Sequence, residues 1–312
     1  MRAQENPGTA RPDMSVEIAG VRFQNPVMTA SGTFGSGMEY AQFVDLNKLG
    51  AVVTKGVAAV PWEGNPTPRV AEVTSGMLNA IGLQNPGIDV FMERDLPFLE
   101  QYDTKVIVNV CGHTQEEYLE VVRRLQDAPV DMLEINVSCP NVSRGAIQFG
   151  QDPKCLEDIT QKIRKIAAQP VIMKLTPNVT DIAQMARAAE AGGADAVSLI
   201  NTITGMKIDI ERQQFVLANK TGGLSGPAIK PVAVRMVWQA AQAVSIPVIG
   251  MGGIASAEDA VEFMLAGATA VAVGAMNFHD PYLTVKIVDG IRDYLIRHGI
   301  SDVKQLIGAV HE

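Results

Sequence analysis

The chain has 312 residues, with 26 Lys+Arg against 34 Asp+Glu for a net charge of −8, and 47% of its residues are hydrophobic. That profile is globular, not disordered or fibrous, and the acidic balance argues against non-specific binding to nucleic acid or to an anionic membrane, which needs clustered positive charge. No apolar run approaches the roughly 18 residues of a membrane span, and three cysteines argue against a disulfide framework and suit a reducing cytoplasm.

Residues 1–13 are polar, lack an apolar signal core and read as a frayed tail. From there short apolar runs rich in Val, Ile and Ala recur: Val27–Ala30, Ala51–Lys55, Val106–Val110, Met132–Asn136, Val171–Leu175, Ala196–Ile200, Val248–Met251 and Ala270–Val273. They lack in/out alternation, as a parallel strand covered on both faces requires. Segments of helical period lie between them. Thr114 caps a helix over 115–125. Asp152 and Pro153 open one running to about Ala168, with Pro in the first turn, where its missing N–H costs nothing. Helices over 180–191, 230–243 and 256–266 follow, the last with a cap-like Ser256 and Glu258 and Asp259 in its first turn. Gly192, Gly193 and Gly267 stand where helices end. Eight strand–helix units predict a (β/α)8 TIM barrel with long βα loops, and an open doubly wound sheet is the runner-up. With no linker or repeat, residues 14–312 read as one domain. Three connections are long, 56–88, 137–153 and 201–227, and long loops inside a compact domain are usually functional.

Polar residues gather after the strands. Lys55 closes the second run, Asn109 lies near the end of the third, Asn136 closes the fourth and Lys174 lies near the end of the fifth. Asn201 and Thr202 follow the sixth, Gly252 and Gly253 the seventh, and Gly274 the eighth. These are the carboxyl ends of the strands, where barrel enzymes build their sites. Gly250, Gly252 and Ala255 loosely match a dinucleotide fingerprint, but no acidic residue stands about 20 positions on to hold a ribose. Phosphate binding by backbone N–H groups after strands seven and eight explains the glycines better. Two lysines aimed into one cavity repel unless an anion or an electron-rich ring lies between them. A reduced flavin and a phosphorylated sugar both meet that condition.

Among the cysteines, Cys155 reads as a small buried hydrophobe on a helix, and Cys111 trails strand three with nothing nearby to activate it. Cys139 differs, because it sits in a polar loop between Asn136 and Asn141. A thiol with an ordinary pKa of about 8.5 serves as a base near neutrality where an electropositive site favours its thiolate. The four histidines, His113, His279, His298 and His311, show no metal-ligand spacing with the cysteines.

The motif Asn-Val-Ser-Cys-Pro-Asn at 136–141 resembles the catalytic loop of class 1 dihydroorotate dehydrogenases. So do the runs at 30–35, 54–56, 79–87, 221–228 and 250–254, over nearly the whole chain after Asp13. The resemblance implies an FMN-containing barrel that oxidises (S)-dihydroorotate to orotate in pyrimidine synthesis. It implies Cys139 as the base that removes the C5 proton, with the C6 hydride passing to the flavin. It places orotate against Lys55, Asn79, Ala80, Ile81, Gly82, Leu83, Asn136, Asn141, Asn201 and Thr202. It places FMN against Ser31, Lys55, Gly56, Asn109, Asn136, Lys174, Ile200, Gly226, Gly252, Gly253, Gly274 and Ala275. One departure is Ala146, near which the pattern has a second Gly; this loop is expected to cover the site. Ala80 and Ile81 with Asn201 and Thr202 look like the NAD-linked branch, class 1B, whereas the fumarate-linked class 1A has Ser-Met at 80–81. Three cysteines are too few for a Cys₄ iron–sulfur cluster. The resemblance therefore implies a partner carrying FAD and [2Fe–2S], in a heterotetramer of two catalytic and two accessory chains on a homodimer core. The rivals are a dihydrouridine synthase, which the acidic balance disfavours, and a non-catalytic barrel that binds a phosphorylated ligand.

Overall fold

The computed structural model describes residues 11–137 and 149–311. Eight strands close into a parallel barrel in chain order: β1 (Val27–Thr29), β2 (Ala51–Val53), β3 (Lys105–Val110), β4 (Met132–Asn136), β5 (Val171–Lys174), β6 (Ala196–Leu199), β7 (Val248–Met251) and β8 (Ala270–Val273). The ring is shut by β8 pairing with β1, Val271 opposite Val27 and Val273 opposite Thr29, which excludes the open sheet. Each expected apolar run is one of these strands. They are almost wholly buried because helices cover the outside while side chains fill the inside.

The covering helices are α1 (Gln115–Arg124), α2 (Pro153–Arg164), α3 (Ile182–Ala191), α4 (Lys230–Ala241), α5 (Ala257–Leu265) and α6 (Leu283–His298). A further helical segment over 88–99 has a π turn at Phe91–Asp95. The caps explain the starts. Thr114, Asp152, Asp181 and Ser256 each accept a hydrogen bond from the backbone N–H three residues on. The helix opened by Pro153 stops at Arg164, four residues short of the expected end. The strand–helix alternation fails once: β1 is followed only by two 3-10 turns, Tyr40–Gln42 and Leu46–Lys48. That stretch holds Gly32, Gly35 and Gly37, all at positive φ, which no α-helix accommodates.

Two of the long connections carry structure of their own. The loop after β2 forms a hairpin, Val70–Val73 with Gly76–Asn79. The loop after β6 contributes Ile203–Met206 and Thr221–Ser225. The four segments join into one antiparallel sheet, Asn79 pairing with Gly223, over the carboxyl ends of the strands. Most of the third connection, 138–148, lies outside the described residues. Before β1, an N-terminal hairpin (Val16–Ile18 with Val21–Phe23) buries Val16, Ile18 and Phe23 in the main core. Asp13, the last residue of the expected tail, bridges to Asp302.

That hairpin turns through Ala19 and Gly20, both at positive φ (50° and 80°), the type I′ geometry that favours Asn-Gly. Ala19 is exposed, so its side chain contributes little against the cost of a left-handed L-residue. Ala19→Asn should stabilise the protein by about 0.5–1 kcal/mol, read as a rise of roughly 1–2 °C in a thermal melt.

Candidate active site

At the carboxyl ends of the strands lies a cavity of about 700 Å³. Every described residue expected to hold a ligand lines it. Ser31 comes from the β1 loop, Lys55, Gly56, Asn79, Ala80, Ile81, Gly82 and Leu83 from the loop after β2, and Asn109 from β3. Asn136 comes from β4, Lys174 from β5, and Ile200, Asn201, Thr202 and Gly226 from the loop after β6. Gly252 and Gly253 follow β7, and Gly274 and Ala275 follow β8. Cys139, Asn141 and Ala146 lie outside the described residues. The parallel register makes this gathering unavoidable, since every strand points its carboxyl end the same way.

A continuous hydrogen-bonded chain runs across the floor. Lys174 Nζ donates to Ser31 Oγ at 2.8 Å and to Glu134 Oε2 at 3.3 Å. Asn109 Nδ2 donates to the same oxygen at 2.6 Å, and Ser198 Oγ donates to Glu134 Oε1 at 2.7 Å. Asn136 Nδ2 donates to Asn109 Oδ1, and Asn201 Nδ2 to Asn136 Oδ1, both at 3.4 Å. The Tyr118 hydroxyl, from α1, donates to the backbone carbonyl of Asn136 at 2.7 Å and pins the end of β4.

Glu134 corrects the lysine argument. The anion beside Lys174 is a side chain of the protein, so mutual repulsion with Lys55 does not by itself demand a ligand. Glu134 was missed because, inside an otherwise apolar strand, a lone Glu carries no signal of what it faces. Lys55 is the cation without such a partner among the described residues. Burial pushes its ammonium below the ordinary lysine range; the Cys111 thiol opposes that shift and the like charge of Arg69 adds to it. Cys111 is fully buried and within electrostatic reach of Lys55, which the sequence did not show. Cys155 is on a helix as expected, but it is half-buried, not buried.

The glycines after β7 and β8 shape the far wall. Gly252 and Gly253 have φ of 125° and 81°. A Cβ on Gly253 would stand 2.8 Å from the Gly226 carbonyl oxygen and 3.0 Å from the Lys230 amide, both backbone atoms that cannot yield. Among the described residues the amides of Gly253, Gly274 and Ala275 find no carbonyl to donate to. Lys230, packed against Gly253, is held by Asp259 at 2.6 Å and Glu262 at 2.7 Å. An anion here would therefore meet backbone amides, not a free cation, the arrangement that suits a phosphate. This cradle, with a lysine and amide side chains on the opposite floor, fits a phosphorylated aromatic cofactor such as FMN. No group of three or more His, Cys, Asp and Glu capable of holding a metal occurs among the described residues.

Further lining residues had no ligand assigned to them from the sequence, although four of them lie in the 221–228 motif run. Met77, Thr221, Gly222, Gly223 and Ser225 come from the four-stranded sheet, and Asn178 from the loop after β5. Asn178 Nδ2 donates to the Thr202 carbonyl at 3.1 Å, and its Oδ1 accepts from Thr204 N at 2.9 Å. Its position four residues past Lys174 was the available signal.

The dihydroorotate dehydrogenase family model matches residues 13–295. The chain belongs to the dihydroorotate dehydrogenase family. It is 66% identical over 296 residues to the dihydroorotate dehydrogenase B (NAD(+)) catalytic subunit of Lachnoclostridium phytofermentans, covering 95% of this chain and 99% of that one. It is 60% identical to the protein of the same name from Alkaliphilus metalliredigens, over 96% of this chain and 99% of that one. In fold it is similar to a crystal structure of DHODH from Eimeria tenella in complex with ferulenol. The TM-score is 0.79 at 23% identity, over 95% of this chain and 88% of the other. Both the family resemblance and the NAD-linked branch read from Ala80 and Ile81 agree with these relatives.

Lys55 yields a test of the electrostatics. Its depressed folded value means that the unfolded chain binds the extra proton more readily. Stability therefore rises with pH up to the ordinary lysine value of 10.5. Lys55→Met should raise the melting temperature of the flavin-free protein at neutral pH, on the order of 2 °C. The gain should shrink in alkaline melts as the wild-type lysine loses its charge.

Proposed function

We propose that this member of the dihydroorotate dehydrogenase family oxidises (S)-dihydroorotate to orotate in pyrimidine synthesis, with FMN in the barrel cavity and NAD⁺ reached through a second subunit. The observation that carries this reading is the convergence of the described residues of the family's motif runs on one cavity of about 700 Å³. Bound FMN supplies the two-electron acceptor for the C6 hydride. The chain's residues do the remainder. Gly226, Gly252, Gly253, Gly274 and Ala275 hold the phosphate end, while Ser31, Gly56, Asn109, Lys174 and Ile200 surround the rest of the cofactor. Lys55 and Asn136 reach both ligands. Asn79, Ala80, Ile81, Gly82, Leu83, Asn141, Asn201 and Thr202 orient dihydroorotate, whose ring carries amide and carboxylate groups suited to amide side chains and a lysine. Cys139 takes the C5 proton.

The relatives are named catalytic subunits, which supports a separate accessory chain. We assign FAD and [2Fe–2S] to that chain, in a heterotetramer of two catalytic and two accessory subunits in the cytoplasm. Among the described residues, no helix is long and apolar enough to cross a membrane. A homodimer core is supported by Met206, Ile208, Ile210 and Phe215. These large apolar residues stand 47–79% exposed on the arm after β6.

Residues 1–13 are proposed as a tail and 14–312 as one FMN-binding domain. The purified chain should be yellow, and anaerobic mixing with dihydroorotate should bleach the flavin. A colourless protein that cannot be reconstituted would point instead to a binding barrel. Cys139→Ser should keep FMN but slow bleaching by about 10² or more at neutral pH, with partial recovery at high pH. Near-normal bleaching would reassign the base.

The electron route is tested separately. Dihydroorotate should reduce the flavin of the chain alone, and a small dye should then take the electrons, but NAD⁺ should be reduced slowly until the accessory subunit is added. Fast NAD⁺ turnover by the rigorously purified chain would remove the need for a partner.

A further inference from the structure

Glu134 is the one acidic side chain in the floor network, and no step above uses it. It is 2% exposed on β4 and does not line the cavity, yet it touches residues that do. Its carboxylate takes donors from three other strands: Asn109 of β3 at 2.6 Å, Lys174 of β5 at 3.3 Å and Ser198 of β6 at 2.7 Å. Two physical consequences follow. An ammonium as deeply buried as that of Lys174, 3% exposed, is costly without a counter-charge, and Glu134 is that charge. A carboxylate is also acceptor-only, so Asn109 must turn its NH₂ toward Glu134 and its Oδ1 away. The next amide, Asn136, must then donate to that oxygen and present its own Oδ1 to Asn201, as observed. One buried acid thus sets both the charge balance beneath the cavity and the orientation of three amides along its floor.

We propose that Glu134 is a positioning residue for the redox step. By balancing Lys174 and orienting Asn109, it sets how strongly the pocket favours reduced over oxidised FMN. The proposal rests on the reading of the cavity as an FMN site. Reduced FMN carries a negative charge that the oxidised form lacks at its ring, so an unbalanced cation at the floor favours the reduced form. Glu134 as it stands tempers that preference.

The test is an anaerobic reductive titration of the FMN-loaded protein against a reference dye. Glu134→Gln should shift the equilibrium toward reduced flavin about tenfold, which for a two-electron couple is a rise of about 30 mV in midpoint potential. The shift should depend on Lys174. With Lys174→Met already in place, no buried ammonium is left for the substitution to uncover, so Glu134→Gln should then change the ratio less than about twofold. A wild-type ratio in Glu134→Gln, a shift toward oxidised flavin, or the same tenfold shift in the Lys174→Met background would each overturn the proposal. If Glu134→Gln fails to fold or sheds flavin, the double variant decides. Recovery of a folded, flavin-binding protein locates the harm in the uncompensated ammonium and supports the coupling, whereas continued failure makes Glu134 merely structural and overturns it. Wild-type protein that binds no FMN would instead sink the cofactor reading itself.

Discussion

Because β8 pairs back onto β1, every strand of the barrel is hydrogen-bonded on both edges and covered on both faces. Closure removes the exposed edges that an open sheet must protect. It also excludes water from the interior, so almost every inward position must be apolar. The parallel direction brings all eight carboxyl ends to one rim, and that rim is the one place where polar side chains can meet solvent or a ligand. Core and site are therefore two consequences of a single constraint, met by Val, Ile and Ala in the middle of each strand and by Lys, Asn and Gly at its end.

The floor of the site lies deeper than that rule allows for. Asn109, Glu134, Asn136, Lys174 and Ser198 are all within 3% of full burial. They are tolerated because each finds a partner on another element, and a satisfied buried network is rigid as well as affordable. Rigidity is what a flavin site requires, since its donors must already point the right way when the cofactor arrives. The opposite wall uses a different device. Positive-φ glycines bring backbone amides close to the ligand without any side chain, while Lys230 is diverted into ion pairs with Asp259 and Glu262.

The roof is built from two loops far apart in the chain, joined where Asn79 pairs with Gly223. Gly76–Asn79 and Thr221–Ser225 are neighbouring strands of one sheet, so the loop carrying Asn79 to Leu83 is fixed by the loop carrying Asn201 and Thr202. This arrangement positions the proposed dihydroorotate contacts from both sides. It also leaves the apolar arm from Met206 to Phe215 projecting outward, where a second chain could cover it.

The eight strands, five of the helix starts and the line of polar strand ends were legible in the sequence because they depend on local chemistry: apolar continuity, caps and glycine. The motif loops identified the family for the same reason, since each is a contiguous run of residues. What the sequence left open depends on partners far apart in the chain. Glu134 became meaningful only when Asn109, Lys174 and Ser198 were seen to converge on it, and the repulsion argued for Lys55 and Lys174 dissolved with that contact. The missing helix after β1 and the sheet that unites two loops were likewise invisible, because strand pairing between residues as far apart in the chain as Asn79 and Gly223 leaves no periodic trace. Local patterns determined the elements and the family; barrel closure decided which polar groups face one another, because only a three-dimensional packing can tell a buried acid which cation it must answer.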